Sequence, residues 1–213
     1  MKLKLLFLPV IVLLTSCAKK TLGGNDYAYY KQQIEKSKRL ENEKKAAKVT
    51  PIEPKAQVKK TSYLTPEERQ KFAGLLEVED TAIENEKLYA AINNWLGTPY
   101  YWGGTTRNGV DCSSYVQQIY RKVYGKDIPR TSIEQFYMDT KAHFKNQKYL
   151  KEGDLVFFRL RHKDKVVSHV GIYLQNGKFT GSNSPRGVEI ANLDDAYWQD
   201  KYVACARFIT KNN

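Results

Sequence analysis

Two side chains, Cys112 and His169, have the type and setting that acyl-transfer chemistry needs. Cys112 follows a glycine-rich stretch from Gly97 to Gly104, and the run Gly109, Val110, Asp111, Cys112, Ser113, Ser114 opens an amphipathic segment. A cysteine in the first turn of a helix meets unpaired backbone amides and the positive end of the helix dipole, and both favour thiolate over thiol. The same amides can hold the oxyanion that forms when an acyl carbon becomes tetrahedral. His169 heads the apolar run from His169 to Leu174, directly after a charged turn from Arg161 to Lys165. An imidazole beside a thiol takes its proton, forms a thiolate and imidazolium pair, and later donates that proton to a leaving amine. The alternative is a buried structural cysteine and an unrelated histidine at a strand end, so the case for each residue rests on the other. His143 and His162 lie in polar, lysine-rich stretches and read as ordinary polar positions. Three scattered histidines and no close His/Cys/Asp cluster give no ligand spacing, so the expected chemistry uses neither metal nor cofactor.

A helix and a strand must carry these two side chains. Cys112 to Tyr124 places Val116, Ile119, Tyr120 and Val123 on one face by three-and-four spacing, and Gly125 suits its end. Ahead of it, Thr65, Pro66, Glu67 and Glu68 make a helix start with proline in the first turn. Glu84 to Leu96 forms a second helix with Leu88, Ala91, Ile92 and Trp95 inward, closing at Gly97. Thr131 or Ser132 caps a fourth, with Glu134 and Gln135 three residues on. After residue 150 the period becomes that of strands, at Asp154 to Leu160, His169 to Leu174, Lys178 to Ser182, Val188 to Ala191 and Tyr202 to Ile209. Helices first and strands later predict an α+β domain over residues 65–213, one sheet with N-terminal helices packed against it.

The N-terminal part of the chain reads differently. Lys2 and Lys4 precede an unbroken apolar run from Leu5 to Leu14, too short to span a bilayer as a mature helix, which is the pattern of a secretory signal. The run closes on Leu14, Thr15, Ser16 and Cys17, and small residues before a cysteine resemble the lipobox at which bacteria attach diacylglycerol. Residues 1–16 are therefore expected to be removed and Cys17 to be lipidated. Several acyl chains such as palmitate, at ~0.8 kcal/mol per buried methylene, hold a chain at a membrane effectively permanently.

Residues 17–64 are then a spacer, rich in Lys, Glu, Gln and Ala and too poor in large aliphatic residues to offset the cost of ordering. Pro51 and Pro54 end any transient helix in Asp26 to Ala47. As a coil of about 43 residues it would reach ~35 Å on average. The formal net charge of +12 is uneven, with 12 Lys and Arg against 5 Asp and Glu in residues 18–60, and 21 against 18 in residues 61–213. A nucleic-acid module carries its charge on the folded domain. The expected partners are thus anionic lipid or wall polymer along the tether, and not nucleic acid. Beyond Cys17 only Cys112 and Cys205 remain, and in an oxidising compartment they either pair as a disulfide or leave Cys205 as a small residue within a strand. Ala18 is not the aspartate that commonly signals inner-membrane retention, so an outer-membrane anchor facing the periplasm is expected for a Gram-negative source.

Residues 84–209 resemble the NlpC-type family of cell-wall cysteine endopeptidases. The matching pieces are Gly97 to Gly104, Asp111 to Ser113, Pro129 to Ser132, Gly153 to Phe158 and Ser168 to Leu174, in that order and spacing. The resemblance implies a papain-like fold in which the nucleophile helix packs on an antiparallel sheet bearing the base. It implies Cys112 as nucleophile, His169 as base, Tyr100 beside the thiol and oxyanion site, and Asp111 and Ser113 lining the substrate pocket. Read alone, Asp111 is a charge at a helix start and Tyr100 a packing residue. The implied substrate is a peptidoglycan stem peptide or cross-link, cut between D-glutamate and a diamino acid or at D-alanine.

One position departs from the family. Twelve residues after the base, where a second histidine or another polar group usually orients the first, this chain has Gly181. Asn183 is the expected substitute, because two residues along a strand restore the same face and an amide oxygen accepts an imidazole N–H. A two-residue turn at Asn176 and Gly177 would instead place residue 169 opposite 184 and offer Ser182 and Ser184. If nothing takes the role, the domain is a weakened peptidase that still binds wall peptides. The same fold class also admits acyl transfer or amide hydrolysis on a lipid or other non-wall substrate.

Overall fold

The computed structural model describes residues 62–139, 142–160 and 164–208, together with Glu35 and Arg39, which are helical and exposed. The expected signal peptide, Cys17, the rest of the tether up to residue 61, His162 and Ile209 lie outside the described residues.

Local signals account for the helices. Thr65 closes a capping box with Glu68 at the start of α1 (Pro66–Leu76), which buries Phe72 and Leu76. Helix α2 runs from Glu86 to Asn93 and is shorter than its apolar period, because the Asn85 side chain accepts from the N–H of Leu88 and sets the start there. Past Asn93 the chain tightens, with Trp95 N–H bonding to Ile92 O at 2.8 Å, before it turns at Gly97 with φ +79°. A short hairpin, β1 (Thr105–Thr106) and β2 (Gly109–Val110), leads into α3 (Cys112–Tyr124), which ends on Gly125 with φ +63°. Its Val116, Ile119, Tyr120 and Val123 are all buried, as the spacing predicts. Helix α4 (Ser132–Tyr137) begins with the capping box of Thr131 and Glu134.

The sheet follows as β3 (His143–Phe144), β4 (Leu155–Phe158), β5 (His169–Tyr173), β6 (Lys178–Asn183), β7 (Gly187–Asn192) and β8 (Tyr202–Ala206). Every pairing is antiparallel and the order is β3-β8-β4-β5-β6-β7. The expected α+β architecture is therefore present. β8 stops at Ala206 because Arg207 leaves the ladder: its N–H bonds to Ala142 O at 3.2 Å and its guanidinium bonds to Asp154 at 2.8 and 2.6 Å.

Both faces of the sheet are covered. Leu155, Phe157, Val170 and Ile172 pack with α1, α2 and α3 in the larger core. On the other face Val156, Phe158, Phe179 and Cys205 pack with Trp198 of a short helix, α5 (Ala196–Lys201). Six residues are too few to show a period, so α5 has no clear mark in the sequence. Trp198 is 3% exposed and touches Phe158, Phe179 and the ring of His169. Truncation to Ala should cost ~3–5 kcal/mol in urea denaturation. The exposed neighbour Tyr197→Ala should stay within ~0.5 kcal/mol.

Candidate active site

Asp111 caps α3, its Oδ1 accepting from Ser114 N–H at 2.8 Å and from Ser113 Oγ at 3.1 Å. That cap makes Cys112 the first helical residue. The backbone N–H groups of Val170, Ser113 and Cys112 all favour a charge on its sulfur. Val170 directly follows His169, so the head of α3 abuts the peptide that opens β5. Two buried bonds fix this junction. Tyr115 of α3 and Thr180 of β6 share a hydrogen bond of 2.8 Å, and Ser182 Oγ donates to Val110 O at 2.7 Å, just before the helix. The glycine loop is laid against the same spot: Val110 N–H bonds to Pro99 O and Asp111 N–H to Gly104 O. Gly104 is required there, since a Cβ would come within 2.4 Å of Gly109 O.

His169 is 3% exposed. Its ring stacks on Trp198 at 5.6 Å and 23°, with Phe158 tilted against it at 5.8 Å. Nε2 is buried on the side of Gly181, where a Cβ would lie 3.7 Å from Nε2 and 3.1 Å from Asn183 Oδ1. The pairing of Ile172 with Thr180 and Tyr173 with Phe179 carries Asn183 to the position across from His169. The two-residue turn and the offer of Ser182 or Ser184 are thereby overturned. Leu174 N–H bonds to Lys178 O, and the intervening loop has three residues, with Asn176 and Gly177 both left-handed at φ 48° and 67°. Ser182 faces the helices and is spent on Val110 O.

Burial and the helix end pull the thiol in opposite directions. Burial, followed by the carboxylate of Asp111, pushes the Cys112 thiol up to about 12, and the three N–H groups only partly oppose this. Burial also pushes His169 down to about 4, while the neighbouring Asn183 side chain holds its basicity up. Burial thus favours a neutral thiol and a neutral imidazole, where helix-end reasoning alone favours thiolate. The desolvation of a fully enclosed charge outweighs the amides of one helix end.

Cys112 opens on a cleft of about 500 Å³. Tyr100, Asp111 and Ser113 line it as the resemblance implies, joined by Arg130, the start of α4 and the loop from Lys165 to Ser168. Tyr100 is held by an isolated bridge to Val110. Arg130 is a site residue that sequence reasoning passed over although it lies in the matched stretch Pro129 to Ser132. Its guanidinium bonds to both carboxylate oxygens of Asp111, at 3.0 and 2.6 Å, and to Ser113 Oγ at 3.1 Å. A bidentate partner of this kind shows in sequence only as an unassigned charge.

Cys112 and Cys205 are both free, which excludes the disulfide alternative. Cys205 packs on the opposite face of the sheet, its Sγ donating to Phe144 O at 3.1 Å. His143 is half-buried against Phe136, with ring centroids 4.3 Å apart.

The NlpC/P60 family matches residues 97–207, just over half of the sequence. The chain belongs to this family. Among NlpC/P60 relatives, a probable endopeptidase NlpC homolog of Haemophilus influenzae is 38% identical over 130 residues, covering 61% of this chain and 66% of that protein. The murein DD-endopeptidase MepS/murein LD-carboxypeptidase of Escherichia coli K12 is 34% identical over 119 residues, covering 56% of this chain and 60% of that protein. The chain thus spans under two thirds of the length of these curated relatives. A crystal structure of an NlpC/P60 family protein from Bacillus cereus superposes with a TM-score of 0.52 at 31% identity, over 59% of this chain and 40% of that one.

A neutral resting thiol has a kinetic signature. Alkylation of Cys112 by iodoacetamide, followed by peptide mass spectrometry, should accelerate about tenfold per pH unit from pH 7 to 10. A fast rate that is flat across pH 5 to 9 would show the thiolate and imidazolium pair instead.

Proposed function

We propose that this chain is a cysteine endopeptidase that hydrolyses peptide bonds in peptidoglycan stem peptides or cross-links. One observation carries the reading: a cleft-facing Cys112 at a helix head, its thiolate favoured by the N–H next to His169. The printed names of the relatives, murein DD-endopeptidase among them, support the substrate class.

In this mechanism the thiol proton passes to His169 as Sγ forms a bond to the acyl carbon. The carbonyl oxygen becomes an oxyanion, for which amides at the helix head and Tyr100 are the available donors. Collapse breaks the C–N bond, and the leaving amine takes the proton held on His169. Water then attacks the thioester, gives its proton to the imidazole and releases a carboxylic acid and the free thiol. Asn183 takes the orienting role that the family's polar group has at position 181. Lys165 adds a cation to the cleft, suited to a substrate rich in carboxylates.

We also propose that the chain reaches the wall from a membrane, through acyl chains on Cys17 and the basic tether, in an outer membrane facing the periplasm if the cell is Gram-negative. The apolar run, the small residues before Cys17 and the charge of residues 18–60 support this.

Incubation of the full chain with purified peptidoglycan, read by mass spectrometry, should release fragments whose masses name the bond. Cys112→Ala and His169→Ala should each reduce release by a factor on the order of 10³ or more, and equal release by wild type and Cys112→Ala would defeat the cysteine mechanism. Labelled palmitate fed to producing cells should enter the wild-type chain and not Cys17→Ser. Label retained in that variant would remove the anchor.

A further inference from the structure

Asn183 is 2% exposed, and its amide can face His169 with either its oxygen or its nitrogen. The two orientations have the same shape and opposite consequences. Oxygen toward the ring accepts an N–H from Nε2, which leaves Nδ1 with the lone pair a base needs. Nitrogen toward the ring donates to Nε2 and leaves the proton on Nδ1, so that no basic nitrogen remains for the thiol. Something must therefore choose, and the residue that does so is on β7.

Glu189 pairs with Gly181 in the register of β6 and β7, beside Asn183. Its Oε1 accepts from Asn183 Nδ2 at 2.8 Å. A carboxylate only accepts, so the nitrogen end of the amide is committed to Glu189 and Oδ1 is turned to the imidazole. Oδ1 and Nε2 are both buried without a hydrogen-bond partner among the described residues, and both border the space at Gly181, 3.1 and 3.7 Å from where a Cβ would stand. Arg186 in turn donates its Nε to both oxygens of Glu189, at 2.7 and 2.8 Å, holding the carboxylate in place.

We propose that Glu189, held by Arg186, is a positioning residue that sets the tautomer of His169 through the amide of Asn183. The catalytic part of this assignment rests on the peptidase reading above; the tautomer itself does not. Glu189 touches neither sulfur nor cleft, and acts only by fixing which end of an amide faces the ring.

The test uses the full chain with ¹⁵N-labelled histidine at pH 7, the His169 resonances being assigned from a His169→Gln sample. Wild type should show the proton on Nε2. Glu189→Ala should populate the Nδ1–H form and lower kcat on purified peptidoglycan ~10- to 100-fold, with KM within about twofold. Glu189→Gln retains an acceptor oxygen for Asn183 and should keep the wild-type tautomer. Thermal melts of both variants separate this effect from loss of fold. A proton on Nδ1 in wild type, or wild-type tautomer and kcat in Glu189→Ala, would overturn the proposal. Failure of wild type to cut peptidoglycan would sink the peptidase reading alone, because the resonances decide the positioning independently.

Discussion

The head of α3 is pressed against the first peptide of β5, and the rest of the site follows from that contact. It adds the N–H of Val170 to those of Ser113 and Cys112 that already favour the thiolate, and takes away the sulfur's water in the same step. These effects oppose one another, and burial is the larger, favouring the protonated thiol. Preorganised donors can then act on the charge that develops on the substrate's oxygen, with no solvent to reorganise. Asp111 adds a conflict of its own. As the cap of α3 it is worth about 1 kcal/mol, yet its charge disfavours the thiolate beside it. The bidentate bond from Arg130 satisfies that carboxylate and limits the conflict without giving up the cap.

His169 is subject to the same physics from the other side of the sheet. Trp198 and Phe158 enclose its ring in apolar surface, which favours the neutral imidazole. A neutral base and a neutral thiol are a consistent pair, because neither charge has to be supported until both form together. In the proposed reaction, proton transfer creates the two charges at once, and their attraction offsets part of the desolvation each would meet alone.

How much of this was legible in the sequence depends on the range of each signal. α3 has its predicted bounds because cap, apolar period and terminal glycine all agree within 14 residues. The capping boxes at Thr65 and Thr131 were equally plain, being contacts over three residues. α5 and the strand pair β1 and β2 left no usable trace, since elements of two to six residues show no period. At the site, the proximity of Cys112 to the start of β5 was readable through the family resemblance and not through spacing. Three things were not readable. Arg130 meets Asp111 across 19 residues, Trp198 reaches His169 from the far face of the sheet, and the thiol's protonation depends on total enclosure. Each is a property of packing that no local pattern encodes.

Gly181 and Asn183 are best understood as one geometric solution. Along a strand, residues two apart share a face, so an orienting group moved from position 181 to 183 stays on the side of His169. It can reach the imidazole only if nothing stands between, and any Cβ at 181 would sit 3.1 Å from Asn183 Oδ1. The glycine that reads in sequence as a missing residue is thus the space the substitute occupies. The three-residue loop after Leu174 completes the arrangement. One residue fewer would shift the register of β6 by one, send every side chain of the strand to the opposite face and carry Asn183 away from the ring.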